Sequence, residues 1–280
     1  MPFKAACIQI NAGREIAPNI EMASDLIRQA ADQGAELIVT PENTTMIEPD
    51  KEAQRAKTPR EADHPAVAAF ADLARERGIW LVIGSMSMAL DDGRAANRSF
   101  LFAPDGNIAA RYDKIHMFDV DVPDGQTYRE SANFRPGEQG VVTDLPWGKL
   151  GMTICYDLRF AYLYRALAKA GAGILTVPAA FTQFTGKAHW HILLRARAIE
   201  TGCFVLAPAQ TGEHAGGRHT YGHSLIVAPW GEILADAGEA PGIIYADIDM
   251  QRVRDARRMI PALEHDRTFK LPEETRAAGE

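Results

Sequence analysis

The chain has 280 residues, 46% hydrophobic and 24% charged, with a formal net charge of −7. That length buries a core of one or two domains, and a net negative chain without a Lys/Arg cluster excludes nucleic acid and anionic membrane as main partners. No stretch is long and apolar enough to span a bilayer, and MPFKAACIQI enters a strand pattern at once, without the n- and h-regions of a signal peptide. The three cysteines, Cys7, Cys155 and Cys203, are too few and too scattered for a disulfide framework, so a reducing, cytoplasmic setting is expected.

Strand and helix patterns alternate along the chain. FKAACIQI reads as a strand and IEMASDLIRQAADQG as an amphipathic helix ending at Gly34. AELIVT is the next strand, with Glu42 just past its apolar run. Residues 44–62 are polar and irregular, a candidate rim loop. HPAVAAFADLARERG is a helix with Pro65 in its first turn and Gly78 after its end, and IWLVIGSMSMAL is a strand. SFLFAPDGNIAARYDK is a hairpin turning at Pro104-Asp105-Gly106, with Lys114 at its far end.

KLGMTICYDLRF follows, a buried strand ending at Cys155. Asp157 is placed to cap the helix of FAYLYRALAKAG. AGILTVP is a strand, HWHILLRARAIETG a helix, and CFVLAPAQ, HSLIVAPWGEILADAG and GIIYADI complete the sheets. The second of these turns at Pro229-Trp230-Gly231. Residues 249–259 form a last helix with Asp249 as N-cap. No linker divides residues 1–271, and residues 272–280 read as a loosely ordered tail. The pattern fits one α/β domain, with either one mixed sheet or two packed sheets and helices outside.

Cys7 and Cys203 lie inside apolar runs and read as core. Cys155 differs. Backbone N–H groups between a strand end and a helix start lower a thiol's pKa and can later hold an oxyanion. A carboxylate, an ammonium and a thiol at three strand ends, Glu42, Lys114 and Cys155, can meet on one rim of an α/β sheet. A thiolate nucleophile needs a base. A histidine (His189, His191 or His223) or Glu42, its pKa raised by burial, can serve. Lys114 and the N–H of Tyr156 can stabilise an oxyanion. His189 and His191 stand at i and i+2 of a helix, pointing apart with no third ligand in view, so no metal site is expected there. Neither a phosphate-binding glycine loop nor a ligand cluster appears, so no cofactor is expected.

PEN at Glu42, YDKIHMFD at Lys114 and GMTICYDLRF at Cys155 resemble, in order and spacing, the three signatures of the nitrilase (carbon–nitrogen hydrolase) superfamily. The resemblance covers essentially the whole chain. It implies a single-domain, four-layer α-β-β-α sandwich and a Glu–Lys–Cys triad: Glu42 as general base, Lys114 as oxyanion stabiliser, Cys155 as nucleophile. It also carries over a second glutamate, Glu130 of YRES. TGKAHWHILLRARAIE, TYGHSLIVAPWG and RRMIPALEHDR resemble the nitrilase-like amidase branch, and AQTGEH with YGHS resembles the deaminated-glutathione amidases more than the omega-amidases.

Phe181 and Thr182 then fall in the branch's pocket segment. Arg159, beside the nucleophile, is a candidate for a substrate carboxylate, and His223 for the pocket edge. Ala161 stands where the branch usually has Pro, and His191 where it tends to have Glu. The implied reaction is hydrolysis of a small-molecule amide, through a thioester and with release of ammonia. Nitrile or N-carbamoyl hydrolysis is a more distant option. A homodimer or larger homo-oligomer, paired through residues 159–170 and 187–201, is expected. The rival reading is an interaction scaffold with a reactive thiol, which needs none of the triad.

Overall fold

The computed structural model describes residues 2–121 and 127–270; the expected loose tail, 272–280, lies outside the described residues. Two six-stranded sheets form the centre. The first runs Gly242–Ile248, Phe3–Gln9, Leu37–Val39, Trp80–Ala89, Ala95–Phe102, Ile108–Asp113 across its width. The second runs Ile233–Asp236, Leu225–Val227, Phe204–Ala207, Ala172–Thr176, Gly148–Met152, Val141–Leu145. Each has parallel pairing in its middle and antiparallel edges.

Side-chain alternation assigns the layers. Ala5, Cys7, Leu37 and Val39 pack with the second sheet, while Ala6, Ile8 and Ile38 pack outward with Ile27, Phe70 and Leu73. Those outer partners belong to helices α1 (Ile16–Asp32) and, after a short α2 (Lys51–Lys57), α3 (Pro65–Arg77). The second sheet is covered by α4 (Ala161–Lys169) and α5 (Gln183–Thr201), through Leu163, Leu167, Trp190 and Leu194. The four layers are therefore helix, sheet, sheet, helix. The continuous apolar runs of the middle strands follow from burial on both faces. A final helix, α6 (Met250–Met259), is capped by Asp249, which accepts from Gln251 N. Among the described residues no helix is long and apolar enough to cross a membrane.

Several local readings change, and α5 starts at Gln183, ahead of the expected HWHILLRARAIETG. Helix α1 begins at Ile16, ahead of the apolar stripe, because Pro18 sits in its first turn where it displaces no hydrogen bond. Residues 44–62 hold α2, whose N-cap Asp50 accepts from Ala53 N at 2.7 Å. No α-helix starts at Cys155. The chain makes a 3₁₀ turn over Cys155–Arg159, and α4 begins at Ala161.

At Gly84 the first sheet packs tightly against the segment that follows strand Ala172–Thr176. A Cβ there would lie 2.0 Å from the Thr40 carbonyl oxygen and 2.4 Å from Pro178 Cβ. That contact joins the segment leading to Glu42 to the one that receives the Cys155 amide.

Candidate active site

Glu42, Lys114 and Cys155 meet in one cavity of about 300 Å³, as the three strand ends suggested. All three are nearly closed off, with exposures of 3%, 2% and 8%. Lys114 Nζ donates to Glu42 Oε1 at 2.9 Å and to both oxygens of Glu130, at 2.9 and 2.8 Å. The Ala180 amide donates to Glu42 Oε2 at 2.8 Å and the Phe118 amide to Glu130 Oε2 at 2.7 Å. Asn97 Nδ2 bridges the two carboxylates, at 3.0 Å from Glu42 and 3.2 Å from Glu130. One ammonium alone cannot balance the buried Glu42 and the largely covered Glu130; these N–H groups supply the remainder.

Cys155 stands at φ +46°, a left-handed conformation rare for a residue with a Cβ, and its N–H donates to the Pro178 carbonyl at 2.9 Å. The turn is held by Asp157, which is fully buried. Its carboxylate accepts from Ile154 N at 2.8 Å, Tyr112 Oη at 2.6 Å and His116 N at 3.1 Å. The residue expected to cap a helix instead braces the strained turn that presents the thiol.

Charge distribution departs from the expectation for both reacting groups. Burial pushes the Cys155 thiol well above its ordinary value, and the neighbouring Glu42 carboxylate adds to this; Lys114 opposes it. A short 3₁₀ turn has too few aligned N–H groups to reverse that balance. For Glu42, burial alone acts upward. Lys114's charge and hydrogen bond, with bonds from Cys155 and Ala180 N, bring the carboxyl net below its usual range. Burial likewise acts against the Lys114 ammonium, but Glu130 and Glu42 hold it firmly protonated. The resting site is thus a neutral thiol beside an ionised carboxylate.

Of the other expected residues, Glu130, Tyr156, Phe181 and Thr182 line the cavity. Arg159 and His223 do not. Arg159 lies over the rings of Phe181 and Tyr156, 5.3 and 5.8 Å from their centroids, and contacts His189 Nδ1 at 3.3 Å. His223 stacks on Tyr221 at 4.5 Å, and its Nδ1 meets Asp236 Oδ1 at 2.9 Å. His191 joins them, with Nε2 3.1 Å from Asp236 Oδ2. His189 and His191 do point apart, but His223, from the loop ahead of strand Leu225–Val227, and Asp236, from strand Ile233–Asp236, come to His191 from elsewhere in the chain.

Asn97, Arg218 and Gln210 were not singled out from the sequence. Gln210 Nε2 donates to the Glu42 carbonyl at 3.0 Å, fixing its backbone. Arg218 Nη2 donates to the Ala180 carbonyl at 2.7 Å. Asn97 was the most findable: an amide inside an otherwise strand-forming run, AANRSFLF, is out of place unless it has a partner.

The carbon-nitrogen hydrolase family model matches residues 4–258. A deaminated glutathione amidase from Synechocystis sp. (strain PCC 6803 / GT-S) is 44% identical over 269 residues, covering 94% of this chain and 98% of the relative. The human omega-amidase is 35% identical over 268 residues, 95% of each chain. The crystal structure of the C. elegans NitFhit protein superposes with a TM-score of 0.89 at 36% identity. It matches 95% of this chain, which spans 65% of the length of that protein. An amidase variant from Nesterenkonia sp. AN1, with acrylamide added to its active-site cysteine, superposes at TM-score 0.78 and 28% identity, over 92% of this chain and 98% of its own.

Proposed function

The chain belongs to the carbon–nitrogen hydrolase family, and from that premise we propose that it is a cysteine amidase in which Glu42, Lys114 and Cys155 carry the chemistry and Glu130 positions Lys114. The observation that carries this reading is the shared cavity, where the Lys114 ammonium bonds Glu42 at 2.9 Å beside the Cys155 thiol. A scaffold gains nothing from burying two carboxylates and a lysine against a strained cysteine, since such burial costs stability.

In this reading Glu42 takes the thiol proton as Cys155 Sγ attacks the amide carbon. The oxyanion is held by Lys114 and the Tyr156 N–H, with one of Lys114's two bonds to Glu130 exchanged for it. Asn97 Nδ2, which bonds both carboxylates, keeps Glu42 and Glu130 in place around Lys114. Glu42 returns its proton to the leaving nitrogen, and the C–N bond breaks to give a thioester. Water then gives a proton to Glu42 and its oxygen to the acyl carbon. The thiolate leaves and recovers the proton.

For substrate we propose deaminated glutathione, the compound named for the Synechocystis relative, ahead of α-ketoglutaramate. Residues 44–62, the expected rim loop, contribute Glu48, Lys51 and Gln54 to the cavity lining, and Arg218 lines it as well. Lys51 and Arg218 bring positive charge to the side where a longer substrate's distal carboxylate would lie. The leaving group is a peptide amine for deaminated glutathione, which corrects the release of ammonia expected from the resemblance, and ammonia for α-ketoglutaramate. Both release the same keto acid, which one assay can follow. The kcat/KM ratio is expected to favour deaminated glutathione by about ten- to a hundredfold, the range available from distal contacts. A ratio at or below one makes the protein an omega-amidase with the same catalytic residues.

We propose also that the chain self-associates through α4 and α5. Leu163 and Leu167 of α4 are buried in the core. The outward apolar residues are Tyr162 of α4, at 67% exposure, and Phe184, Ile192 and Ile199 along one face of α5, at 52%, 69% and 55%. Light scattering is expected to give at least twice the chain mass of 30.6 kDa and Ile192→Glu to lower it. A wild-type monomer at micromolar concentration contradicts this.

A further inference from the structure

Outside the cavity, the described residues hold one cluster with the composition of a metal site: His191, His223 and Asp236, whose ligand atoms all lie within 4.8 Å of one another. We propose that these three side chains bind a divalent transition cation of the Zn²⁺ class, clasping helix α5 to the hairpin of strands Leu225–Val227 and Ile233–Asp236.

Two of the three ligand separations are near those around a bound ion. Ligands about 2.0–2.1 Å from a tetrahedral Zn²⁺ stand roughly 3.3 Å from one another. The Asp236 carboxylate is already 3.1 Å from His191 Nε2 and 2.9 Å from His223 Nδ1. In the metal-free arrangement each imidazole can donate to that carboxylate, and a cation takes the place of those protons. Two imidazoles with one carboxylate select Zn²⁺-like ions over Mg²⁺ or Ca²⁺, which prefer all-oxygen shells. The side chains are 29%, 22% and 34% exposed, so the site is open to a solution ion and to water as a fourth ligand.

The surroundings hold His223 and Asp236 in place. His223 stands at φ +53°. Its N–H donates to the Gly238 carbonyl at 2.7 Å, and its carbonyl accepts from Trp190 Nε1 at 2.7 Å. Its ring stacks on Tyr221. Gly238 N donates to Asp236 Oδ1 at 2.9 Å, orienting the carboxylate. Supporting bonds of this kind are what set metal ligands. None of the three ligands lines the cavity, but Trp190 packs 5.1 Å from Phe181, which does. A cation there stiffens the wall behind the substrate and takes no part in the hydrolysis.

The test titrates metal-free Cys155→Ala protein with Zn²⁺ by calorimetry, and with Co²⁺ by visible absorption; that background removes the competing active-site thiol. One ion per chain with micromolar or tighter affinity is expected, with a rise in melting temperature. His191→Ala and Asp236→Asn should each weaken binding by roughly tenfold or more, while His219→Ala, at an unrelated surface histidine, should not. Absence of stoichiometric binding, or binding unchanged in His191→Ala, overturns the proposal and leaves the trio a hydrogen-bonded clasp. Melting in EDTA checks that the variants fold. If Asp236→Asn does not, His191→Ala, at a half-exposed helix position, decides alone.

Discussion

Cys155→Ala is expected to lower amide hydrolysis at least about a thousandfold, ~4 kcal/mol in barrier at about 1.4 kcal/mol per decade. The thiol is the nucleophile of the proposed reaction, and no other cysteine can replace it. Cys7 and Cys203 are fully buried within strands or beside them, and burial pushes both thiols up. The fold should survive, because alanine keeps the Cβ and removes a single sulfur from a cavity wall. Its left-handed backbone is no worse tolerated by alanine than by cysteine. A melting temperature within a few degrees of wild type, with turnover lost, is the expected pair of results. Turnover within about tenfold of wild type removes Cys155 from the mechanism.

Lys114→Met is expected to cost both activity and stability. Were Lys114 only an exposed lysine at a strand end, neither would change. It is instead 2% exposed, with two carboxylates on one ammonium. Methionine fills much of the space but leaves Glu42 and Glu130 facing each other unneutralised. Breaking a buried ion pair by removing one partner costs about 3–5 kcal/mol, which for a chain of this size lowers the melting temperature by on the order of 10 °C. Lowering the pH should recover part of that stability, since protonating either carboxylate relieves the repulsion, but should not recover turnover. Calorimetric scans at neutral and mildly acidic pH check the first statement, and rates at the same two values the second. A variant melting like wild type at neutral pH would show that the triad's charge is balanced without the lysine.

Much of this site is legible from the chain because Glu42, Lys114 and Cys155 each lie just past the end of a strand, and the apolar runs of AELIVT and KLGMTI mark two of those strands plainly. What the ends do next is less legible. The turn at Cys155 is 3₁₀ because Asp157 is bound from three directions, by Ile154, Tyr112 and His116, and two of those partners come from a distant hairpin. Glu42 stays ionised although buried, for the same reason: its partners Lys114, Asn97 and Ala180 are 72, 55 and 138 residues away in sequence. Burial is a local property that apolar runs announce, whereas the compensating charge is a property of the assembled sheets. His191, His223 and Asp236 follow the same pattern. Spacing within α5 argues against a metal, and only the packing of the 225–236 hairpin on that helix brings a carboxylate within reach.

The central claim is that an acyl group passes through Cys155. Rapid quenching of the reaction with deaminated glutathione in acid, followed by intact-mass measurement and peptide mapping, tests it most directly. The account predicts a transient adduct equal to the substrate's acyl part, located on the peptide containing Cys155 and absent from Cys155→Ala. Hydrolysis that proceeds at the wild-type rate in Cys155→Ala, with no acyl adduct at any quench time in either protein, would contradict it.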